Sequence, residues 1–352
     1  MLIKAVLLAL VLAVLAWGGL LAYRAGLTRP LTPLTTADCR AVGPVTGPED
    51  FAIDRDWGLI WITDADRAGV VAGGPPNGAI KLLRLESPDA PLDRVDDRDP
   101  RRFYPHGLGL WVDPQSGERR LFAVNHGPDY RAHSIEIFRA ARNGRLTHLQ
   151  SIRDPLISHP NDVAPVGPRA FFVSNDLGAP TALLRGLEPY LMAPWGNVVA
   201  YDGERASVAL SDLRYANGVL ADLKSNRLYV AEVLDRSVTA YALGPDLSLT
   251  RLWQTGVGMG VDNLTLLPQG DVLAAGHPRP LAFTAHAQDR KRPSPSEVVR
   301  ISQAGRVTPV HLNRGGLYSG ASVAQHARGR LFVGSVYEDH ILVCPERAEQ
   351  QL

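Results

Sequence analysis

Short apolar segments that end in a polar residue recur six times along the chain. Each has the length and alternation of a β-strand, and the aligned positions lie 61, 50, 57, 44 and 59 residues apart. A repeat of this size, with turn residues between its segments, is typical of the blades of a β-propeller. The six aligned positions are Trp61, Phe122, Phe172, Tyr229, Leu273 and Phe332.

A shorter strand precedes each of these segments and opens with a pair of residues that is polar in most copies. Turns such as 113–117 and 268–270 separate the two strands, and further alternating segments follow. A unit of about four strands repeated in this way predicts an all-β fold, a six-bladed β-propeller with the opening pairs around a central channel. The pairs are Glu49-Asp50, His106-Gly107, Asn161-Asp162, Asn217-Gly218, Asp262-Asn263 and Gly320-Ala321.

An unbroken apolar run from Ala5 to Tyr23 precedes the repeats. At about 1.5 Å per residue, a helix of this length can just cross a bilayer. A cleaved secretory signal is the alternative, although 14–16 provide only a weak cleavage site. We expect an uncleaved signal-anchor in 1–27, a Pro/Thr-rich linker in 28–38, the propeller in 39–346 and a tail in 347–352.

A second apolar stripe, from Leu183 to Trp195, has nearly helical spacing and predicts a short lid-like or membrane-touching helix. The polar stretch from His286 to Pro295 predicts a surface loop. These two segments depart from the strand repeat.

The composition suits one large β-domain rather than a nucleic-acid-binding protein. The 352 residues are 45% hydrophobic, and the 33 glycines and 27 prolines fit a chain rich in turns. The net charge is only +1 with no long run of like charge, so nothing supports a nucleic-acid partner.

The only two cysteines, Cys39 and Cys344, lie near the two ends of the repeat region. They could be buried free thiols, but behind an export segment a disulfide is favoured. Such a bond would bring the two ends together, as a circular fold requires. It would also place the propeller on the oxidising side of the membrane, outside the cytoplasm.

The opening pairs predict a cation site, because equivalent positions of successive blades converge on the propeller axis. One such pair alone would usually be a turn, but several in register bring carboxylate and amide oxygens together. These donors suit calcium far better than zinc, which prefers histidine and cysteine. The predicted donors are Glu49, Asp50, Asn161, Asn217, Asp262 and Asn263.

The histidines add candidate catalytic groups. His106 occupies a pair position where other copies carry oxygen donors, and His126, Asp176 and His277 end the marker segments of copies two, three and five. Two imidazoles and a carboxylate beside a cation could perform general base catalysis. His277 and Tyr215 are further candidates for the wall of a pocket.

Other catalytic signatures are weak. The stretch 320–324 lacks the second glycine of a nucleophile elbow, and 256–260 lacks the spacing of a dinucleotide-binding loop. No zinc-protease or Walker A sequence is present.

Nine short motifs follow one another along the chain. In these motifs and in their order, the sequence resembles the paraoxonase/arylesterase family of calcium-dependent lactonases over nearly all of the chain after the apolar run. The motifs are Gly47-Pro48-Glu49-Asp50, Pro105-His106-Gly107, Val124-Asn125-His126, Asn161-Asp162-Val163, Ser174-Asn175-Asp176, Ala216-Asn217-Gly218, Val261-Asp262-Asn263, Gly276-His277-Pro278 and the stretch 296–301.

The resemblance implies two calcium ions in the channel. A catalytic ion would be bound by Glu49, Asn161, Asn217, Asp262 and Asn263, and an inner, structural ion by Asp50, Asp162 and the backbone carbonyl of Leu108. His106 and His126 would form a catalytic dyad with Asp176 near His106. Two departures matter: Ala275 stands where animal members have a free cysteine, and the segments 63–67 and 337–340 match poorly, so no substrate preference is carried over.

We therefore expect a carboxylic-ester hydrolase that acts on lactones and aryl esters. In this hypothesis calcium polarises the carbonyl, His106 takes a proton from the attacking water, and His126 passes the proton outward. One alternative is a sugar-acid lactonase of the gluconolactonase-like type. Another is a non-catalytic binding propeller in which calcium only stabilises the blades.

Overall fold

Each of the six predicted repeats forms one four-stranded antiparallel sheet in the computed structural model, which describes residues 2–34, 38–127 and 132–346. The first strand, β1 (Arg40–Val42), belongs to the last blade. Blade 1 contains β2 (Phe51–Asp54), β3 (Leu59–Ala65), β4 (Gly78–Arg84) and β5 (Asp93–Arg94). Blade 2 contains β6 (Pro105–Val112), β7 (Arg119–Asn125), β8 (Ser134–Ala140) and β9 (Leu146–Ile152). Blade 3 contains β10 (Pro160–Pro165), β11 (Phe171–Asn175), β12 (Gly196–Tyr201) and β13 (Ala206–Leu213).

The remaining blades continue the same pattern. Blade 4 contains β14 (Ala216–Asp222), β15 (Arg227–Glu232), β16 (Ser237–Leu243) and β17 (Leu249–Gly256). Blade 5 contains β18 (Gly260–Leu266), β19 (Val272–His277), β20 (Ser296–Ile301) and β21 (Val307–Asn313). Blade 6 contains β22 (Ala321–Ala327), β23 (Arg330–Ser335), β24 (Ile341–Pro345) and β1. The sheet order confirms the predicted six-bladed β-propeller.

Both ends of the repeat region meet in blade 6. Strand β1 pairs with β24, with Arg40 opposite Val343 and Val42 opposite Ile341. The disulfide between Cys39 and Cys344 joins the same two segments, as predicted from the cysteine positions. The ring is therefore closed by main-chain hydrogen bonds and by a covalent bond.

The hydrophobic core lies between neighbouring blades. The six aligned positions of the repeat are all at most 1% exposed. They sit on the second strand of each blade and pack into clusters that join one blade to the next. Burying one such side chain stabilises the fold by roughly 1.5–3 kcal/mol, which explains why the repeat keeps a large apolar residue there.

Three short helices lie in connections between the second and third strands of their blades: α2 (Arg67–Val71), α3 (Ala182–Leu191) and α4 (Pro280–Gln288). Helix α3 confirms the predicted stripe; the Thr181 side chain caps it by accepting from Leu184 N, and Leu183 and Tyr190 are exposed. The loop predicted for His286 to Pro295 is partly wrong. Helix α4 continues to Gln288 and buries His286, whose Nδ1 lies 2.6 Å from the carbonyl of Arg292.

Helix α1 (Leu2–Arg24) carries the N-terminal apolar run. It is long and apolar enough to cross a membrane, and the side chains of its apolar window do not pack against the propeller. The last residue of α1 and the segment after the helix form ion pairs with blades 4 and 5. Arg29 forms two 2.6 Å bonds to the Glu297 carboxylate, and Arg24 lies 3.0 Å from Asp235. Residues 35–37 of the predicted linker and the predicted tail at 347–352 lie outside the described residues.

Candidate active site and cation centre at the channel mouth

The opening pairs lie at one end of the channel, which we call the mouth, at the start of the innermost strand of each blade. In blades 2, 3, 4 and 5 the pair falls inside an interruption of the register, for example between Pro160 and Val163. Such bulges release residues from the regular ladder and redirect their side chains. The irregular start of the inner strand thus leaves the opening pair outside the regular hydrogen-bond ladder.

Glycine in two of the pairs allows neighbouring blades to approach closely. A Cβ at Gly107 would lie 2.4 Å from Asp162 Oδ1, and one at Gly218 would lie 2.5 Å from the carbonyl of Asp262. No side chain fits in either position without moving the neighbouring blade. These glycines therefore bring the donors of successive blades together.

Glu49 is the centre of the polar cluster and is 1% exposed. Its Oε1 accepts from Asn263 Nδ2 at 2.6 Å and lies 3.6 Å from His106 Nε2, while Oε2 lies 3.7 Å from an Arg67 nitrogen. Burial raises the pKa of Glu49, but the charges and hydrogen bonds of His106, Arg67 and Asn263 outweigh it and hold the pKa below its ordinary value. Glu49 is therefore ionised at neutral pH.

Several buried oxygens at the mouth accept no hydrogen bond from the described residues. They are Glu49 Oε2 and the Oδ1 atoms of Asn161, Asn217 and Asn263. Buried polar groups are normally paired. A set of carboxylate and amide oxygens without donors has the chemistry of a hard-cation site such as calcium, so the residues present fit the predicted ion.

A second pair of carboxylates, Asp50 and Asp162, lies deeper in the channel. Asp50 Oδ2 accepts from Leu108 N at 2.6 Å, and Asp162 Oδ2 accepts from Val219 N at 2.8 Å. Burial raises the pKa of both well above the ordinary value; Asp162 and Glu49 raise that of Asp50 further, while Glu49 and Asp262 raise that of Asp162. A bound cation would relieve this repulsion. The predicted role of the Leu108 carbonyl stays a prediction.

The two predicted catalytic histidines are in contact. His106 Nδ1 lies 2.6 Å from His126 Nε2, and His126 Nδ1 lies 3.0 Å from His133 Nδ1. Burial, followed by His106 and His133, lowers the pKa of His126 well below its ordinary value. The structure therefore extends the predicted pair to a row of three imidazoles, with His106 next to Glu49.

Asp176 and His277 each contact a predicted cation donor. Asp176 Oδ2 accepts from Asn161 Nδ2 at 3.3 Å, and burial raises its pKa to about 6. The predicted nearness of Asp176 to His106 is visible only in the pKa of Asp176, where the charge of His106 partly offsets the rise that burial causes. His277 Nε2 lies 2.9 Å from Asp262 Oδ2. Tyr215 directly precedes β14, and its carbonyl accepts from Val233 N.

Residues in the long connections were missed by the sequence analysis. Arg67 is 7% exposed and donates to the carbonyls of Gly47 and Pro105, which ties blades 1 and 2 together beside Glu49. Phe283 of α4 stacks on His277 with ring centres 3.7 Å apart, and Tyr337 lies 5.6 Å from Phe283. A buried arginine at the start of a five-residue helix has no periodic signal; the aromatic residues could have been suspected only from their type.

The mouth thus combines carboxylate and amide oxygens with adjacent histidines on a six-bladed propeller, and these are groups that ester hydrolysis can use. The family model described as Arylesterase matches residues 83–345 of the chain. The chain belongs to this arylesterase family and is a carboxylic-ester hydrolase.

Relatives over nearly the whole chain support the assignment. Serum paraoxonase/arylesterase 2 of Rattus norvegicus is 32% identical over 88% of this chain and 90% of its own length. Serum paraoxonase/arylesterase 2 of Gallus gallus is 31% identical over 92% of this chain and 94% of its own length. The likeness therefore includes the strands that carry the mouth.

Solved structures share the fold at low identity. A structure described as a gluconolactonase has a TM-score of 0.53 and 16% identity, covering 89% of this chain and 94% of its own. Regucalcin from Agrobacterium tumefaciens, described as a calcium-binding protein, has a TM-score of 0.50 and 12% identity, covering 90% and 96%. Both likenesses concern the propeller fold alone.

Proposed function

We propose that the protein hydrolyses lactones and aryl esters at the channel mouth, with calcium bound by the oxygen donors of the opening pairs. The observation that supports this most directly is the set of buried oxygens without donors, on Glu49, Asn161, Asn217 and Asn263. The family membership supports the ester-hydrolase chemistry.

An outer calcium ion would be held by Glu49, Asn161, Asn217, Asp262 and Asn263, and an inner ion by Asp50, Asp162 and the Leu108 carbonyl. When bound, the outer ion would supply Lewis-acid polarisation of the ester carbonyl, which is usually worth several kcal/mol. The raised pKa values of Asp50, Asp162 and Asp262 support cation binding, because each of these buried carboxyl groups lies near another carboxylate whose charge raises its pKa further.

His106 is the group we propose as general base. Its Nε2 is directed towards Glu49 and its Nδ1 towards His126, so Nε2 accepts a proton from the attacking water while Nδ1 passes one outward. The lowered pKa of His126 keeps that ring neutral near pH 7, with a lone pair for the chain of imidazoles. When the acyl C–O bond breaks, the proton returns to the leaving alkoxide or phenolate.

The wall of the mouth favours apolar substrates. Phe283 and Tyr337 are both partly exposed; Phe283 stacks on His277, and Tyr337 lies against Phe283. Aromatic side chains bind acyl chains and aryl groups better than the hydroxyl-rich face of a sugar acid. This supports lactones and aryl esters over sugar-acid lactones.

We also infer that α1 anchors the protein in a membrane, with the propeller on the oxidising side. The support is the exposed apolar surface of α1 and the disulfide between Cys39 and Cys344. The Arg29–Glu297 pair and the hydrogen bond from Arg279 to the carbonyl of Gly26 would hold the anchor beside blade 5. The full chain should then stay in alkali-washed membranes; its release by the wash would contradict the anchor.

The test uses full-length protein in mild detergent and a panel of short- and long-chain lactones with phenyl acetate. Turnover should disappear on chelation and return with calcium. His106→Gln should lower turnover by about 10²–10⁴-fold with calcium affinity and melting temperature unchanged. Calcium-loaded, folded protein without any turnover would contradict the proposal and leave a calcium-stabilised binding propeller.

A further inference from the structure

A cavity of about 830 Å³ lies at the end of the channel opposite the mouth. We call this end the floor. Its lining comes from the distal halves of the inner strands and from the turns that follow them, for example Leu220, Leu223 and Lys224 of blade 4. The mouth donors lie at the other ends of the same strands, so the two openings are on opposite faces of the propeller.

The inner end of this cavity reaches the deep carboxylate pair. Asp162 and Leu108 both line it, and Phe51 and Val219, whose amides donate to Asp50 and Asp162, line it as well. Among the described residues, none of the predicted outer donors lines this cavity. These donors are Glu49, Asn161, Asn217, Asp262 and Asn263. The inner site is therefore reached from the floor.

The cavity wall suits the passage of a cation. The charged residues of the lining are Arg55, Lys224, Asp56, Asp162 and Asp222, which makes two positive and three negative side chains. Gln325 also lines the cavity, is 3% exposed, and has an Oε1 without a hydrogen-bond donor among the described residues. That oxygen could replace a water ligand of an entering ion.

Two polar contacts cross the route from the mouth. The 2.6 Å bond from Asn263 to Glu49 crosses from blade 5 to blade 1, and the Arg67 guanidinium lies 3.7 Å from the same carboxylate. A cation coming from the mouth must first pass this pair, and an ion held by the outer donors would repel it.

We propose that calcium enters and leaves the inner site through the floor cavity, independently of the outer site at the mouth. This inference rests on the two-site arrangement of the proposed function. It predicts two calcium ions that exchange at separate rates, and a floor obstruction that slows only one of them.

The floor cavity can be obstructed after the protein has folded, so that the obstruction does not interfere with folding. The described residues hold no free cysteine, so Leu223→Cys, at an exposed position of the cavity rim, can be labelled with a bulky maleimide. Leu252→Cys on β17 of the same blade is the matched control, because Leu252 is similarly exposed but lies outside the cavity lining. Calcium release into excess fluorescent chelator is followed by stopped flow before and after labelling.

Labelling Leu223→Cys should slow one of two release phases by about tenfold and leave the other unchanged, and labelling Leu252→Cys should change neither. Unchanged rates, equal slowing of both phases, or a single calcium ion released at an unaltered rate would each overturn the inference. Lactone turnover of the unlabelled protein is measured in parallel. Calcium-dependent turnover with unaltered release rates would overturn only the floor route, whereas absence of turnover would contradict the proposed function itself.

Discussion

Blades 1 and 6 are neighbours in the ring and share the same four-stranded pattern, but they place different residues at the mouth. Blade 1 contributes Glu49 and Asp50, both buried carboxylates, whereas blade 6 has Gly320 and Ala321 at the equivalent positions. The strands of the two blades pack alike, with Trp61 and Phe332 both at most 1% exposed. The repeat therefore builds the scaffold, and the opening pairs determine which blades supply the predicted cation donors.

Blade 6 still supports the site without supplying a charged group. Ser322 Oγ donates to the carbonyl of Glu49 at 2.7 Å, and Ser335 N donates to the carbonyl of Pro48 at 2.9 Å. These contacts fix the backbone of the blade 1 pair. Removing the carboxylate of blade 1 should thus be far more harmful than removing a supporting hydroxyl of blade 6.

The largest expected effect comes from Glu49→Gln. Loss of the carboxylate removes the negative charge at the centre of the donor set, next to Arg67 and His106. If this removes several kcal/mol of transition-state stabilisation, kcat/KM falls by about a thousandfold. Steady-state kinetics and calcium titration calorimetry should show turnover and affinity falling together.

Glu232→Gln is the matched control for that variant. Glu232 is also a buried carboxylate at the mouth end of a strand, but its Oε2 accepts from Arg214 N at 2.8 Å. We expect its turnover to stay close to that of the unmodified protein. Equal losses in the two variants would mean that any buried carboxylate matters, and the special role of the blade 1 pair would be wrong.

A second, smaller effect concerns pH and calcium. Burial raises the pKa of Asp50, Asp162 and Asp262, so calcium must displace protons from carboxylates that hold them more tightly than usual. Calcium affinity should therefore fall as pH falls, by about tenfold or more from pH 7 to pH 5. Calorimetry in buffers of different ionisation enthalpy would detect the released protons.

The same pKa shifts determine whether the calcium-free protein gains or loses stability as pH rises. A carboxyl group whose pKa is raised on folding, such as Asp176 at about 6 against 3.8, makes the calcium-free protein less stable as pH rises through that interval. The lowered pKa of His126 makes the protein more stable as pH rises, but this effect is present both with and without calcium. The gain in melting temperature from calcium should thus grow from pH 5 to pH 7. A constant gain would show that the carboxylates are ionised before calcium binds.

The scaffold could be predicted because it repeats. Apolar alternation identified the six second strands, and the sheet order confirms all of them. The cysteine positions predicted the closure of the ring, which the disulfide confirms. Each of these features depends on a local pattern or on cysteine, a residue type with few structural roles, so a single sequence was sufficient.

The rest of the mouth could not be predicted because its contacts are long-range and do not repeat. Arg67 meets Pro105 only when blades 1 and 2 pack together, and Phe283 meets His277 only because α4 folds back over the mouth. The sequence of α4 lacks an apolar stripe, so its first part gives no helical signal and its polar end predicts a loop. The contact between His126 and His133 depends on a connection outside the strand pattern.

The smallest expected effect is that of Ser322→Ala, which tests whether blade 6 only supports the pair of blade 1. The substitution removes one buried hydrogen bond, but the Glu49 carbonyl keeps Asn263 Nδ2 at 3.2 Å, so the free energy of unfolding should fall by only about 1 kcal/mol. Thr265→Val is the control: its hydroxyl makes the corresponding contact between blades 5 and 6, 2.5 Å from the carbonyl of Ala324, near the floor. Both variants should lose similar stability in urea unfolding, but only Ser322→Ala should weaken calcium binding, and by less than about tenfold. Equal calcium affinities in the two variants would show that the Ser322 hydroxyl is not needed to hold Glu49 in place for calcium.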